Sequence, residues 1–492
     1  MKKLILTICL AVTAVLALHA ETFSGNIVVN LNGVTYDSEA TVTVEQGDNG
    51  LYNFTLQVPV FGTMNMYDVH AATASNIAVF SAERDVVTSQ GTMRTILFVR
   101  TIDGMMAANV AIPARNTTMW FNTVGDHFQL PNSDFEAWNS NYQDEPNRWH
   151  GFMSAFGNSF LVSTSQSLVK LNKSEDTHAG SNGSYSVVMT SGSTFGIVAN
   201  GTMTNGQLKA ASMSASSPDN HAEMDKNKGT DDFYMPLYAK PDKFNVWLKF
   251  TTADNNNMAN VSVKTFDGTY YQEPVDKTYT NLSGSIVGGA IPAGDWTFYS
   301  FPFDYDSYAT NNAATEAIFV TFSTNGTPGG GNSGDALYVD DMELVYLGNM
   351  TDLRYQGTTI DGWDPAMTVY NMEMTGEPNL ADFTADIEGA SAVLTKSMEQ
   401  NADGSYRIAI SVVSADLQNA ACYIINVTQP SKRGDLNGDG RVNIADVTAL
   451  INYVLSRNPN GINVQNADID ENGIINIADV TFLINLVLSG NV

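Results

Sequence analysis

Between Glu21 and Asn122 apolar and polar residues alternate with a period of two, as in Thr41-Val42-Thr43-Val44 and Tyr52-Asn53-Phe54-Thr55-Leu56. Such alternation turns one face of a strand to a core and the other to water. The Gly47-Asp48-Asn49-Gly50 cluster between those runs marks a hairpin. The runs Thr95–Arg100 and around Val110 continue the meander without any helical period, so residues 21–125 predict a small all-β meander or barrel. Short strand runs return in Met367–Met372, Tyr406–Ile410 and Tyr423–Val427, and residues 348–429 predict an immunoglobulin-like sandwich serving as a spacer. Near the C-terminus the period changes. Ile444, Val447, Leu450, Ile451, Val454 and Leu455 follow helical spacing, and Ile477, Val480, Leu483, Ile484, Val487 and Leu488 repeat it. These stripes predict two short helices that bury them against each other.

Length and charge narrow the function classes. At 492 residues with 43% hydrophobic and 15% charged content, the chain has material for several cores and is not a disordered protein. Its 52 acidic residues against 24 basic give a net charge of −28, which repels phosphate backbones and anionic headgroups. Nucleic acid is therefore excluded as a partner, while divalent cations and neutral glycans suit such a surface. Residues 1–20, MKKLILTICLAVTAVLALHA, have the basic start, apolar run and small-residue end of a secretory signal peptide. The expected location is extracellular or at the cell surface, with no transmembrane helix in the mature chain. Cleavage after Ala20 leaves Cys422 as the one cysteine, expected to be buried in ACYIINV without a disulfide.

The strongest chemical signal is an internal repeat with a period of 33 residues. Residues 435–456, DLNGDGRVNIADVTALINYVLS, and 468–489, DIDENGIINIADVTFLINLVLS, share 14 of 22 positions. A hard cation needs six or more oxygens, supplied at alternate loop positions around a glycine that turns the chain. Asp435, Asn437, Asp439, the Arg441 carbonyl, Asn443 and Asp446 supply them in the first copy, around Gly440. Asp468, Asp470, Asn472, the Ile474 carbonyl, Asn476 and Asp479 do so in the second, around Gly473. Two calcium ions are the expected cofactors. Beyond the core stripes, Ala449 and Tyr453, and Phe482 and Leu486, sit four apart on a flanking apolar face expected to bind a protein partner.

The duplicated loop with Asp at its last position, and without a helix before it, closely resembles the type I dockerin family over residues 434–492. That resemblance implies a cohesin-like module as the partner. Residues 21–125, with the opening Phe23-Ser24-Gly25, resemble calycin-like β domains. In residues 130–347 the landmarks Leu130-Pro131-Asn132-Ser133-Asp134-Phe135-Glu136, Gly183-Ser184-Tyr185-Ser186 and Leu337-Tyr338-Val339-Asp340-Asp341 resemble jelly-roll domains of secreted proteins from glycan-degrading bacteria, including carbohydrate-binding modules. The resemblance implies a structural calcium held by Glu136 and Asp341.

Sugar sites use aromatic rings against the C–H faces of pyranoses, with amides and carboxylates for the hydroxyls. Trp149, Tyr270 and Tyr271 lie in loop-like surroundings and are the ligand candidates, whereas Trp138, Trp247 and Trp296 lie in strand-like runs and are assigned to the core. The histidines His70, His127, His150, His178 and His221 show no zinc-like spacing, and no nucleophile elbow occurs, so no catalytic residue is assigned. The expected function is glycan recognition coupled to calcium-dependent docking. A glycoside hydrolase in the jelly roll and a structural surface protein are the alternatives.

Overall fold

The computed structural model describes residues 20–492, apart from 59, 75–76, 103, 124–127, 139–140, 170, 229–230, 375, 402–403, 429–431, 439, 459–461 and 490–492. Residues 1–19 of the expected signal peptide, His127 and Asp439 lie outside the described residues. The protein is mainly β and multidomain, with helices concentrated at the C-terminus. Eight antiparallel strands from Glu21–Leu31 to Thr117–Asn122 pair in sequence order, and the last returns to the first, closing a barrel. Its inward parity supplies Phe23, Val29, Phe54, Leu56, Val99 and Phe121, all buried, so side chains fill the interior. Gly25 permits the closure, because a Cβ there would lie 2.3 Å from the Asn122 carbonyl oxygen.

The jelly roll is a continuous sheet folded over one core. Its strands run Leu171–Ser174, Ser186–Thr190, Ala336–Val345, Lys243–Thr251, Gly294–Asp304, Leu282–Ile286, Met258–Phe266, Ala317–Ser323 and Thr202–Thr204 in spatial order. In Lys243–Thr251 the residues Phe244, Val246, Leu248 and Phe250 turn inward, leaving Asn245, Trp247 and Lys249 outside. A short sheet, built on Gln207–Ala210 and His221–Met224, and helix α1, Ser159–Leu168, flank one face. Asn158 caps α1 by accepting from the Phe160 and Leu161 amides.

Two sheets of three and four strands form the following sandwich, with Val369–Glu373 running parallel to Ala420–Thr428. Trp363 packs there against Tyr370 and Tyr423. Cys422 is half-buried, and burial pushes its thiol up to about 11, so it stays protonated and inert. Barrel, jelly roll and sandwich share one apolar cluster that includes Phe98 and Ile102, Phe244 and Phe322, and Val413 and Leu417. Glu83 of the barrel joins the sandwich, accepting from Arg407 at 2.6 Å while also holding Arg94 of its own barrel at 3.3 Å. Glu83→Ala should therefore cost about 1.5–3 kcal/mol, the range for hydrogen bonds to charged groups. A melting curve matching the unsubstituted protein would show that this junction contributes nothing.

Helices α2, Ile444–Ser456, and α3, Ile477–Ser489, close the chain. Val447, Leu450, Val480 and Leu483 meet in a small core with Leu436 and Ile469. The structure corrects the predicted stripes, because Ile444, Ile451 and Leu455 are 68%, 36% and 80% exposed. Their repeats Ile477, Ile484 and Leu488 are 67%, 37% and 80% exposed, so the two copies are equivalent to within a percent. The exposed positions lie together along one edge of each stripe, and a two-helix unit buries only the side facing the other helix. Among the described residues no helix is long and apolar enough to cross a membrane.

Candidate functional site

The two C-terminal loops repeat each other in the contacts of their last aspartates. Asp446 is fully buried; its Oδ1 accepts from the Leu436 and Asn437 amides at 2.9 and 3.2 Å, and its Oδ2 from Asn443 at 2.9 Å. Asp479 does the same with Ile469, Asp470 and Asn476 at 2.8, 3.3 and 2.8 Å. Asp435 braces its loop by accepting from Gly438 and Gly440, and Asp468 by accepting from Asn472 and Gly473. These bonds fold each loop back on its own aspartates, and in the second loop the carboxylates converge. Ligating atoms of Asp468, Asp470 and Asp479 lie within 4.8 Å of one another, an arrangement that suits a hard cation.

Of the expected calcium ligands, the second loop thus brings Asp468, Asp470 and Asp479 together, while in the first Asp435 and Asp446 accept from the amides of their own loop. Asn443 and Asn476 have another task. Their side chains accept from the Ala445 and Ala478 amides and so cap α2 and α3. When bound, calcium supplies the positive charge that lets these carboxylates stay together.

The predicted docking face divides. Phe482 is exposed and Tyr453 is half-exposed, beneath the Arg457 guanidinium at 5.7 Å. Ala449 and Leu486 instead are partly buried and pack on the small core. Ile444, Ile451 and Leu455 with their repeats are exposed as well, as is Ile474 of the second loop.

In the jelly roll the structure overturns two of three ligand candidates. Trp149 is wholly buried between Phe135 and Phe322, and its Nε1 donates to the Pro131 carbonyl at 3.1 Å. The backbone of His150 bridges Thr204, and Glu145 accepts from Gly151 and Ser154, which draws the loop under the sheet. Tyr271 is buried against Phe319 and donates to Glu273 at 2.9 Å. Tyr270 is half-buried and its hydroxyl donates to Gln272. Conversely, Trp247 and Trp296 stand half-exposed on the outer sheet face rather than in the core, since the inward parity is already filled. Trp138 is half-buried and packs on the core edge.

A groove of about 530 Å³ opens where α1 and the hairpin Gly192–Ala199 stand over the sheet. Strand parity lines its floor with Asn260, Ser262, Thr321 and Ser323, because Ala259, Val261, Val263 and Phe322 face the core. Phe160 of α1 and Phe195 at the hairpin turn form its rim, 59% and 78% exposed. Phe195 holds φ 52° ahead of Gly196 at φ 77°, a turn that costs a bulky residue strain. The lining contains one carboxylate, Glu273, whose Oε1 accepts from Ser262 and Tyr271. None of the rim or floor residues was among the expected ligand contacts. They come from segments far apart in the chain, and no local motif marks them.

Glu136 and Asp341, the residues expected to share a structural ion, each have a protein partner on one carboxylate oxygen. Glu136 Oε1 accepts from the Ser184 and Tyr185 amides, each at 2.7 Å, which pins the opening segment to the next strand. Asp341 Oδ2 lies 2.7 Å from His178 Nε2. Burial first, then the adjoining Asp341 carboxylate, pushes the Asp340 carboxyl up to about 7.

Residues 433–488 match the dockerin type I domain, which defines the class of the C-terminal module. No curated protein matches the chain. Among solved structures it is similar to a candidate glycoside hydrolase from Bacteroides thetaiotaomicron, at 13% identity and a TM-score of 0.32, over 60% of this chain and 86% of that one. It is also similar to a carbohydrate-binding module of the β-sandwich superfamily, at 9% identity and a TM-score of 0.22, over 60% and 91% of the two chains. A third is the C-terminal family 22 carbohydrate-binding module of Clostridium thermocellum Xyn10B, at 8% identity and a TM-score of 0.20, over 44% and 97%. Likenesses of this size add nothing to what the sheet order already establishes.

Proposed function

We propose that the protein is an extracellular glycan-binding protein, held to a cohesin-type partner by its calcium-dependent tail. The observation that carries the glycan reading is the groove, where exposed phenyl rings stand over a floor of amides and hydroxyls. Rings stack on the apolar faces of sugars, and the floor offers donors and acceptors to neutral hydroxyls. Glycoside hydrolysis ordinarily takes two carboxylates flanking the bond, and the groove lining supplies Glu273 alone, already engaged by two hydroxyls. Binding without turnover is therefore the better reading.

For the tail, the exposed Ile444, Ile451 and Leu455 and their repeats give two equivalent apolar edges, so that a partner can be engaged in either of two orientations. Dockerin-bearing chains act outside the cell, in keeping with the leader-like start of the sequence.

Titration calorimetry against a panel of neutral polysaccharides tests the groove. Phe195→Ala should weaken binding about 3–10-fold, the worth of one aromatic contact, with an unchanged melting curve. No heat with any glycan, or release of reducing ends that Glu273→Gln abolishes, would overturn the reading.

A further inference from the structure

The two leaves of the jelly roll turn different side chains to water. Phe244 of Lys243–Thr251 and Phe322 of Ala317–Ser323 meet across the core, with ring centroids 6.4 Å apart. The groove floor, on the outer side of Met258–Phe266 and Ala317–Ser323, therefore lies on one side of the sandwich. The outer side of Lys243–Thr251, Gly294–Asp304 and Ala336–Val345 lies on the other. There, strand parity presents Trp247 and Lys249. Cross-strand pairing sets Phe298 opposite Trp247 and Tyr338 opposite Lys249. Phe298 is 48% exposed, and Trp247, Trp296 and Tyr338 are half-exposed.

These rings form a continuous row. Phe298 lies 5.5 Å from Trp247, Trp247 stacks on His178 at 4.1 Å, and Trp296 lies 6.2 Å from both His178 and Tyr338. The row is also held in place. Trp296 Nε1 donates to Asp176 Oδ1 at 2.9 Å, and Lys249 Nζ donates to Asp176 Oδ2 at the same distance. Lys249 also lies 3.4 Å from Asp295 and 5.5 Å from the centre of the Tyr338 ring. With its one N–H committed to Asp176, the Trp296 indole offers a ligand its π surface alone. Rings fixed in advance lose little freedom when a ligand binds. The core of a protein interface is depleted of Lys and Asp, yet here Lys249 and Asp176 stand among the rings. A sugar uses both, through its C–H faces and its hydroxyls.

We propose that Trp296 and Phe298, backed by Trp247 and Tyr338, form a second glycan-binding face, on the opposite side of the jelly roll from the groove. Its ligand is a run of neutral pyranoses. The net charge of −28 and the 86% exposed Asp295 side chain at the border turn anionic sugars away. Two sites that face apart cannot hold neighbouring sugars of one short chain. The domain therefore grips two chains, or two distant stretches of one, and on an insoluble polysaccharide the second contact forms at high effective concentration. This face stands on its own residues and does not need the groove to bind.

Tryptophan emission tests it, because the groove lining contains no tryptophan and the face contains two. The full mature chain is titrated with neutral hexasaccharides of glucose, xylose, mannose and galactose. At least one should shift the emission saturably. Trp296→Ala should remove the shift, Phe298→Ala should weaken binding about 3–10-fold, and Phe195→Ala in the groove should leave the titration unmoved. If Trp296→Ala fails to fold, Phe298→Ala, at an exposed ring, decides alone. A shift lost with Phe298 but without any heat that depends on Phe195 supports the face and removes the groove. The proposal is overturned if no hexasaccharide moves the emission, even where calorimetry shows binding that depends on Phe195. It is equally overturned if Phe298→Ala binds as tightly, or if sedimentation shows a self-associating chain that Trp296→Ala makes monomeric, which would make the face a protein contact.

Discussion

Calcium withdrawal is expected to unfold the C-terminal module while the barrel, jelly roll and sandwich stay folded. Its core holds eight buried apolar side chains, among them Leu436, Val442 and Leu483. So short a unit buries too little surface to outweigh chain entropy unaided. Asp446 and Asp479 are fully buried, and three carboxylates of the second loop converge within 4.8 Å. Without a cation these charges repel one another, with the Asp479 carboxylate out of reach of water. An ion present at a thousand times its dissociation constant adds about 4 kcal/mol, so two add about 8, comparable with the whole stability of a small domain. Hydrogen exchange on the full chain reads this locally. In chelator, peptides from α2 and α3 should lose their protection, while peptides from Ser81–Leu97 in the barrel keep theirs. Asp479→Ala should give the same local loss in calcium. Undiminished protection of both helices in chelator would mean that the loops are not calcium sites.

The calcium loops were legible because every ligand lies within twelve positions of one chain segment, and the repeat shows the pattern twice. The sheet elements were legible through their alternation. What the alternation did not convey was which parity the core had already filled. Trp247 read as core on size, yet Phe244, Val246, Leu248 and Phe250 occupy the inward face of its strand. Trp149 failed in the opposite direction, because a Pro-Asn-Arg run reads as a surface loop. The bridge from His150 to Thr204, supplied by a strand more than fifty residues away, pulls it inside. In the terminal helices the apolar positions exceeded what one neighbouring helix can cover, so the exposed Ile444, Ile451 and Leu455 were read as core. The groove and the His178 cluster had no local signature. Asp340 and Asp341 are adjacent, but His178 stands 163 residues from Asp341, and only the folded sheet brings them together.

Trp149→Ala is expected to destabilise the jelly roll severely, which separates a core residue from a ligand platform. The indole is 0% exposed, with ring centroids of Phe135 and Phe322 at 5.8 and 6.4 Å. Truncating a buried tryptophan to alanine ordinarily costs about 3–5 kcal/mol through lost burial and the cavity left behind. The Pro131 carbonyl also loses its Nε1–H donor, about 1 kcal/mol more. A loss of this size lowers the melting temperature by about 8–24 °C in a domain of 150–250 residues. Because the barrel and sandwich share the same apolar cluster, the effect should appear in the main transition and not as a separate minor one. Trp149→Phe keeps most of the volume and should recover more than half of the loss. Phe195→Ala, at an exposed turn, should leave the same transition unmoved. A Trp149→Ala protein that melts like the unsubstituted chain yet no longer binds glycan would return Trp149 to the ligand site and remove the groove from it.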